Sequence, residues 1–154
     1  MNYQKLLGRY TKAFPITLFR FQSRSEVKLR EFIRQQQKNL PSFDFRLMSD
    51  GLIHPMTTDQ FIQPNGMSLR PAGNTLETLL KSFRGKYIYM VKEGTAIPDN
   101  LVLLHEHTDH YSLQTSIQCS EKDLNENLTR FLKENASLLS KEQCYSLIQE
   151  TKNK

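Results

Sequence analysis

The sequence predicts an α+β fold, and three observations support this assignment. A helix-start signal comes early, at Ser23-x-x-Glu26. Short runs rich in β-branched and aromatic residues fill the middle of the chain, and amphipathic helical patterns fill its last third. Strands and helices do not alternate strictly, which argues against a parallel βαβ sheet. The length of 154 residues suits one domain, so we expect residues 1–154 to form a single domain.

The composition is that of an ordinary globular protein, with 38% apolar and 24% charged residues. No apolar run is long enough to span a bilayer, and the N-terminus lacks the apolar centre of a secretory signal. We therefore expect no membrane association. The two cysteines, Cys119 and Cys144, are too few for a disulfide framework and fit a reducing compartment.

Positive charge is concentrated in the first third of the chain. Residues 1–46 hold ten Lys/Arg and three Asp/Glu, whereas the remaining residues hold eleven and thirteen. A basic segment of this kind attracts nucleotide phosphates, polyanions or acidic partners. The alternative interpretation is a solvated basic face with no specific ligand.

Local signals predict the elements of the first half. The run PITLFRFQ at residues 15–22 indicates a strand. The capping box at residues 23–26 predicts a helix that ends near Pro41. The buried side of this helix would carry Val27, Leu29, Phe32 and Ile33. Residues 43–47 and 52–55 indicate short strands around an Asp50-Gly51 turn.

The second half continues with a strand at residues 67–70, a short helix from Asn74, and strands in KYIYMVKEG, LVLLHEH and HYSLQTSI. The Thr-Asp dipeptide between the last two strands is a turn. Ser120-x-x-Asp123 opens an amphipathic helix, and a final helix follows Ser140.

The string LVLLHEHTDHY raises the question of a metal site. Its H-x-H-x-D-H pattern is how the metallo-β-lactamase superfamily begins a two-metal centre, but such a centre needs more ligands downstream, and no histidine lies beyond His110. Strand alternation would place His105 and His107 on one face and Glu106 and His110 on the other. We therefore expect no bound metal. A metal-dependent hydrolase is the least favoured alternative, and a single metal site formed by His105, His107 and Asp109 ranks somewhat above it. The favoured interpretation is three partly exposed histidines at a strand end.

Three segments in order carry a resemblance to a known family. They are LFRF, then PNGMSLRP, then EGTAIPDNL followed by DHYSLQ. Together they resemble the ADP-ribosyltransferase-like toxin family typified by a type VI secretion effector, with fungal relatives. The resemblance covers about residues 16–133, and residues 134–154 would add a C-terminal helix and tail. It implies a split, strongly bent β-core with flanking helices that grips NAD in a cleft.

The resemblance also implies roles for particular residues. NAD-binding roles fall to Arg20, Asn65, Gly66, Ser68 and Arg70. Catalytic roles fall to Arg20, His110 and Tyr111. Many ADP-ribosyltransferases carry a catalytic glutamate on the third core strand, whereas here the nearest is Glu106, four residues before His110 and across a turn.

The implied function is that of a secreted effector toxin, a virulence protein that transfers ADP-ribose from NAD to a side chain of a target protein and releases nicotinamide. Arginine is one candidate acceptor. NAD is then the substrate, and no metal is needed. The target would lie in a host or competitor cell, with an immunity or chaperone protein as a further partner. We expect synthesis in the cytoplasm and delivery, without a signal peptide, into another cell's cytoplasm.

Three alternatives stay open on the same fold. The enzyme could hydrolyse NAD, it could modify a nucleic acid, for which the basic first third is suited, or it could be a degenerate binding module without activity.

Overall fold

A computed structural model describes residues 4–154 as short antiparallel strands and four helices. The strands are β1 (Gln4–Lys5), β2 (Gly8–Tyr10), β3 (Leu18–Gln22), β4 (Gln60–Phe61), β5 (Gly66–Leu69), β6 (Tyr87–Val91), β7 (Leu101–His107), β8 (His110–Thr115) and β9 (Ser137–Leu139). The helices are α1 (Phe32–Gln37), α2 (Asn74–Ser82), α3 (Glu121–Asn135) and α4 (Lys141–Lys152). The α+β prediction is confirmed. No helix in this part of the chain combines the length and the apolar character needed to cross a membrane.

The strands of residues 4–154 pair into three antiparallel sheets. One has four strands in the order β2-β7-β8-β5, a second has three in the order β3-β6-β9, and β1 pairs with β4. The two larger sheets meet at a single bridge between Phe19 and Arg70, whose backbone groups exchange hydrogen bonds of 2.8 and 3.1 Å. The β-core is therefore split, and the bridge fixes β3 beside β5.

Apolar side chains pack on several faces of these sheets. The main cluster lies between the four-stranded sheet and α3 and includes Met67, Leu69, Leu103, Tyr111, Leu113, Leu124 and Leu128. A second cluster joins the three-stranded sheet to α2 and α4 through Phe19, Leu76, Leu80, Ile88, Cys144 and Ile148. Each fully buried leucine stabilises the fold by about 1.5–3 kcal/mol. The opposite face of the four-stranded sheet has only a small apolar cluster, centred on Val102 and Leu104.

Helices α3 and α4 begin where the sequence predicts. Ser120 Oγ accepts a hydrogen bond of 3.1 Å from the Asp123 amide at the start of α3. Ser140 Oγ accepts one of 3.0 Å from the Gln143 amide, and Gln143 Oε1 accepts one of 2.8 Å from the Ser140 amide. The second arrangement is a complete capping box.

The helix predicted after residues 23–26 is wrong over its first turns. Residues 27–30 are not helical, because the Val27 amide donates to Thr129 Oγ1 (2.8 Å) and the Leu29 amide donates to Asn125 Oδ1 (3.0 Å). Both acceptors belong to α3. Contacts with a distant helix thus replace the local hydrogen bonds that a helix would need.

Helix α1 begins later than predicted and has a different cap. The carboxyl group of Glu31 accepts hydrogen bonds from the amides of Ile33 and Arg34. The shift also changes which side chains are buried, since Ile33 is 49% exposed. The strands predicted at residues 43–47 and 52–55 are reduced to single bridges at Phe45 and Ile53, although the turn between them forms.

Candidate active site

The bridge between the two larger sheets brings Arg20 on β3 next to Ser68 on β5. Arg20 Nη1 donates to the backbone oxygen of Ser68 over 3.4 Å, and Arg20 Nε donates to Gln22 Oε1 over 3.1 Å. Burial lowers the pKa of Arg20 from its ordinary value, while nearby Asp44 acts in the opposite direction. An arginine stays positively charged at neutral pH even so. The site thus has a partly buried, fixed cation at the junction of the sheets.

Ser68 also reaches the third strand of the site. Ser68 Oγ lies 3.0 Å from His110 Nε2, at the start of β8. On the other side of the imidazole ring, His110 Nδ1 lies 2.7 Å from Glu106 Oε1, although the two atoms are not aligned as an N–H···O hydrogen bond. Glu106 is 1% exposed. The structure therefore brings Arg20, Ser68 and His110 together and adds a buried glutamate behind the histidine.

A β-bulge at the end of β7 creates this arrangement. His105 pairs with Tyr111, but His107 pairs with His110, so Glu106 is the extra residue. The bulge overturns the expectation that His107 shares a face with His105. The His107 ring stacks on that of His110 with centroids 5.1 Å apart, whereas the His105 ring stacks on that of Tyr111 at 4.0 Å.

The turn that follows the bulge is held tightly. Thr108 has a φ of +40°, a backbone conformation that is rare for a β-branched residue. Its carbonyl oxygen lies 2.8 Å from His105 Nε2. Asp109, the next residue, accepts a hydrogen bond of 2.9 Å from Arg70 Nη1. These contacts fix the hairpin that carries Glu106 and His110.

Two neighbouring cavities, of about 450 and 400 Å³, share Arg20, Phe21 and Arg30 in their walls. Ser68 and Arg70 line the larger one. The basic side chains in the two walls are Arg20, Arg24, Lys28, Arg30, Arg70 and Arg84. The acidic side chains are Glu26 and Asp44, and Asp44 forms an ion pair with Arg30 at 3.0 Å. The hydrogen bond from this pairing raises the pKa of Arg30. Such a surplus of positive charge attracts phosphate groups.

A comparison with protein families identifies the chain. The model of the Tse2 ADP-ribosyltransferase toxin family matches residues 16–144. The chain belongs to this family. The resemblance found in the sequence is thereby confirmed, and at the level of the family the protein is an NAD-dependent ADP-ribosyltransferase toxin. Neither the curated proteins nor the solved structures gave a match.

Some residues to which the resemblance assigns a role do not lie where the two larger sheets meet. Asn65 is 4% exposed, and its side-chain amide donates to the His54 carbonyl oxygen (3.1 Å) and to Gln114 Oε1 (3.3 Å). At Gly66 a Cβ atom would lie 2.5 Å from the Leu113 carbonyl oxygen. The structure gives both residues a packing reason, and neither lines the cavities that contain Arg20.

Tyr111 and Arg70 were both predicted to belong to the site, but the structure places only Arg70 near Arg20 and Ser68. Tyr111 is 5% exposed and belongs to the main apolar cluster, on the face of β8 opposite to His110. Burial raises the pKa of its hydroxyl. The structure thus separates Tyr111 from His110. Arg70, in contrast, lines the same cavity as Arg20 and Ser68, while paired with Asp109.

Sequence reasoning did not assign a role to Glu106 or to the ion pair of Arg30 and Asp44. The signal for Glu106 was present, because it and His110 lie on either side of the turn at residues 108–109 and were expected on one face. The Arg30–Asp44 pair had no such signal, since the two residues lie fourteen positions apart in irregular chain.

The histidine-rich string is the part of the sequence that raised the question of a metal site. Across residues 4–154, no group of three or more His, Cys, Asp or Glu side chains is placed to hold a metal ion. The hairpin instead divides its histidines between the two faces of the sheet.

Proposed function

We propose that the protein transfers a single ADP-ribosyl group from NAD to a side chain of a target protein, with release of nicotinamide. The family assignment supports the reaction class. The main observation behind the proposed transfer to a protein is the set of Arg20, Ser68 and His110, which come from three strands and contact one another through Ser68. This set adjoins the two cavities with basic walls described above, which we call the basic cleft.

The basic cleft suits the pyrophosphate of NAD. A guanidinium group can bind two phosphate oxygens with fixed geometry, and Arg20 is already oriented by its bonds to Ser68 and Gln22. We propose that Arg20 and Arg70 hold the dinucleotide. Asn65 and Gly66 would support this strand indirectly, through the packing of β5 on β8.

The chemistry requires cleavage of the bond between nicotinamide and ribose. Nicotinamide leaves with the electron pair of that bond and becomes neutral, so no general acid is needed. The sugar develops oxocarbenium character, as in glycoside cleavage, and catalysis consists mainly of orientation and electrostatic stabilisation. A neutral imidazole at His110 can accept a proton from the incoming nucleophile or from a ribose hydroxyl.

We further propose that residues 1–154 act as one domain. Helix α4 packs on α2 through Cys144 and Ile148, and Glu77 on α2 receives a hydrogen bond from Gln149 and an ion pair from Lys152. We propose that the toxin acts in the cytoplasm of a host or competitor cell and that an immunity or chaperone protein binds it in the producing cell. The toxin character of the family supports this.

The test is incubation of a target-cell lysate with the protein and tagged NAD, with labelled proteins identified by mass spectrometry. We expect labelled protein in the wild-type reaction and a loss of at least about 10²-fold in Arg20→Ala and His110→Ala. Arg130→Ala and His54→Ala are matched controls, since neither side chain lines the two cavities.

Other outcomes separate the alternatives. Nicotinamide release without any labelled macromolecule would identify an NAD glycohydrolase, and a tag found on nucleic acid would identify a nucleic-acid acceptor. Wild-type labelling by both alanine variants of the site would show that the residue assignment is wrong.

A further inference from the structure

Three side chains of the site lie in the order that activates a nucleophile. Ser68 Oγ is 3.0 Å from His110 Nε2, and His110 Nδ1 is 2.7 Å from Glu106 Oε1. A hydroxyl next to an imidazole, which is in turn oriented by a carboxyl group, is the arrangement of a nucleophile, its general base and the group that positions the base.

Glu106 is placed for this positioning role. Its Oε1 atom and His110 Nδ1 are both buried, and among residues 4–154 neither has an aligned hydrogen-bond partner. Catalytic hydrogen bonds are often poorly aligned before the substrate binds. The other oxygen, Oε2, accepts a hydrogen bond of 3.3 Å from Gln114 Nε2, and Gln114 is itself fully buried. The glutamate is therefore held in place and faces the imidazole.

Ser68 is accessible, whereas its strand neighbour is not. Ser68 lines the cavity of about 450 Å³ together with Arg20 and Arg70. Ser112 is the register partner of Ser68 on β8, but it is 2% exposed and its Oγ accepts a hydrogen bond from Gln114. Of these two hydroxyl groups, that of Ser68 both contacts His110 and lines the basic cleft, and that of Ser112 does neither.

We propose that Ser68, His110 and Glu106 form a Ser–His–Glu triad and that the enzyme ADP-ribosylates its own Ser68. This inference rests on the proposed function, because the electrophile is the ribosyl carbon of NAD held in the same cleft. It assigns Ser68 a covalent role that positioning of NAD alone does not require.

The step balances without a further reactant. Ser68 Oγ forms a bond to C1 of the nicotinamide ribose, and the bond from C1 to the nicotinamide nitrogen breaks. Nicotinamide leaves with that electron pair as a neutral molecule. The serine proton passes to His110 Nε2, and Glu106 stabilises the resulting imidazolium, as the acidic member of a triad does. The product is a serine O-linked ADP-ribosyl group on the enzyme.

The experiment uses the purified full chain with NAD alone, without any target protein. Intact mass is followed over time together with released nicotinamide, and modified peptides are mapped. We expect one ADP-ribosyl group per chain, located on Ser68. Nicotinamide release from a chain whose Ser68 stays unmodified would overturn the inference and leave the proposed function standing. Absence of nicotinamide release, both here and in the presence of lysate, would defeat both.

Matched variants test the triad itself. Ser68→Ala should abolish self-modification, and Ser146→Ala, at an exposed position of α4, should retain it. Glu106→Gln keeps the size of the side chain but removes the acid, so we expect its initial rate of Ser68 modification to fall by about 10²–10⁴-fold, with partial recovery in Glu106→Asp. Thermal unfolding of each variant reports on folding. A folded Glu106→Gln protein that modifies Ser68 at the wild-type rate would contradict the triad.

Discussion

The two faces of strand β8 differ in what they bury. One face carries Tyr111 and Leu113, which pack in the main apolar cluster. The other carries His110, Ser112 and Gln114, of which the last two are no more than 2% exposed. Apolar burial stabilises a fold directly, whereas buried polar groups cost free energy unless they are hydrogen-bonded. The comparison shows that packing explains the first face, whereas the second depends on how its polar groups are hydrogen-bonded.

Three hydrogen bonds offset part of the cost of the polar face, although Glu106 Oε1 and His110 Nδ1 have no aligned partner among residues 4–154. Gln114 Nε2 donates to Ser112 Oγ (3.2 Å) and to Glu106 Oε2 (3.3 Å), and Asn65 donates to Gln114 Oε1 (3.3 Å). Such a network fixes the geometry of every group in it. The apolar face supplies stability and the polar face supplies a defined arrangement of reactive groups.

The largest expected effect comes from the apolar face. Leu113 is fully buried, so Leu113→Ala should lower the free energy of unfolding by about 2–5 kcal/mol. Ser112→Ala, its neighbour on the polar face, should lower it by only about 0.5–1.5 kcal/mol. Urea denaturation at pH 7 measures both. Equal losses in the two variants would remove the distinction between the faces.

The next largest effect that we expect is on the pH dependence of stability, through His107 on the polar face. Burial, with a contribution from nearby His110, lowers the pKa of His107 below the ordinary value of 6.5. The unfolded chain therefore binds this proton at a higher pH than the folded chain does. Stability from the neutral ring is present above pH 6.5 and is lost as the pH falls through the lower folded pKa.

His107→Gln should accordingly lose less stability than the wild type between pH 7 and pH 5. Urea denaturation at several pH values, carried out on the variant and the wild type in parallel, tests this. An unchanged pH slope in His107→Gln would show that the partial burial of this ring does not make stability depend on pH.

The smallest effect is expected at Tyr111. Its ring packs in the core, so Tyr111→Phe keeps the packing and removes only the hydroxyl. We expect a change of less than about 1.5 kcal/mol in the free energy of unfolding and nearly unchanged nicotinamide release. Tyr145→Phe, on an exposed tyrosine, is the control. A tenfold loss of activity in Tyr111→Phe would place the hydroxyl at the substrate and contradict the division into two faces.

Elements with local signals could be predicted from the sequence. The caps at Ser120 and Ser140 satisfy amides within three residues, so their effect does not depend on the rest of the fold. The turn between β7 and β8 is equally local. The early helix failed for the opposite reason, since Thr129 and Asn125, about a hundred residues away, bind the amides of Val27 and Leu29.

The candidate site shows the same division. The family resemblance pointed to Arg20, Ser68 and His110 as separate residues, and their contacts could be anticipated only through that resemblance. The contact of Glu106 with His110 depends on the bulge in β7. A bulge is a property of strand pairing, and the strand's own residues do not reveal it.

The sequence by itself determined the α+β class, the caps of the last two helices and the hairpin with its two-residue turn, because each depends on residues only a few positions apart. Only the tertiary structure decided where the sheets join, that residues 27–30 are not helical, and that a buried glutamate lies behind the histidine. These features arise from hydrogen bonds and packing between distant segments. The free energy of such contacts can exceed the helix or strand preference of a single residue, which is under about 1 kcal/mol.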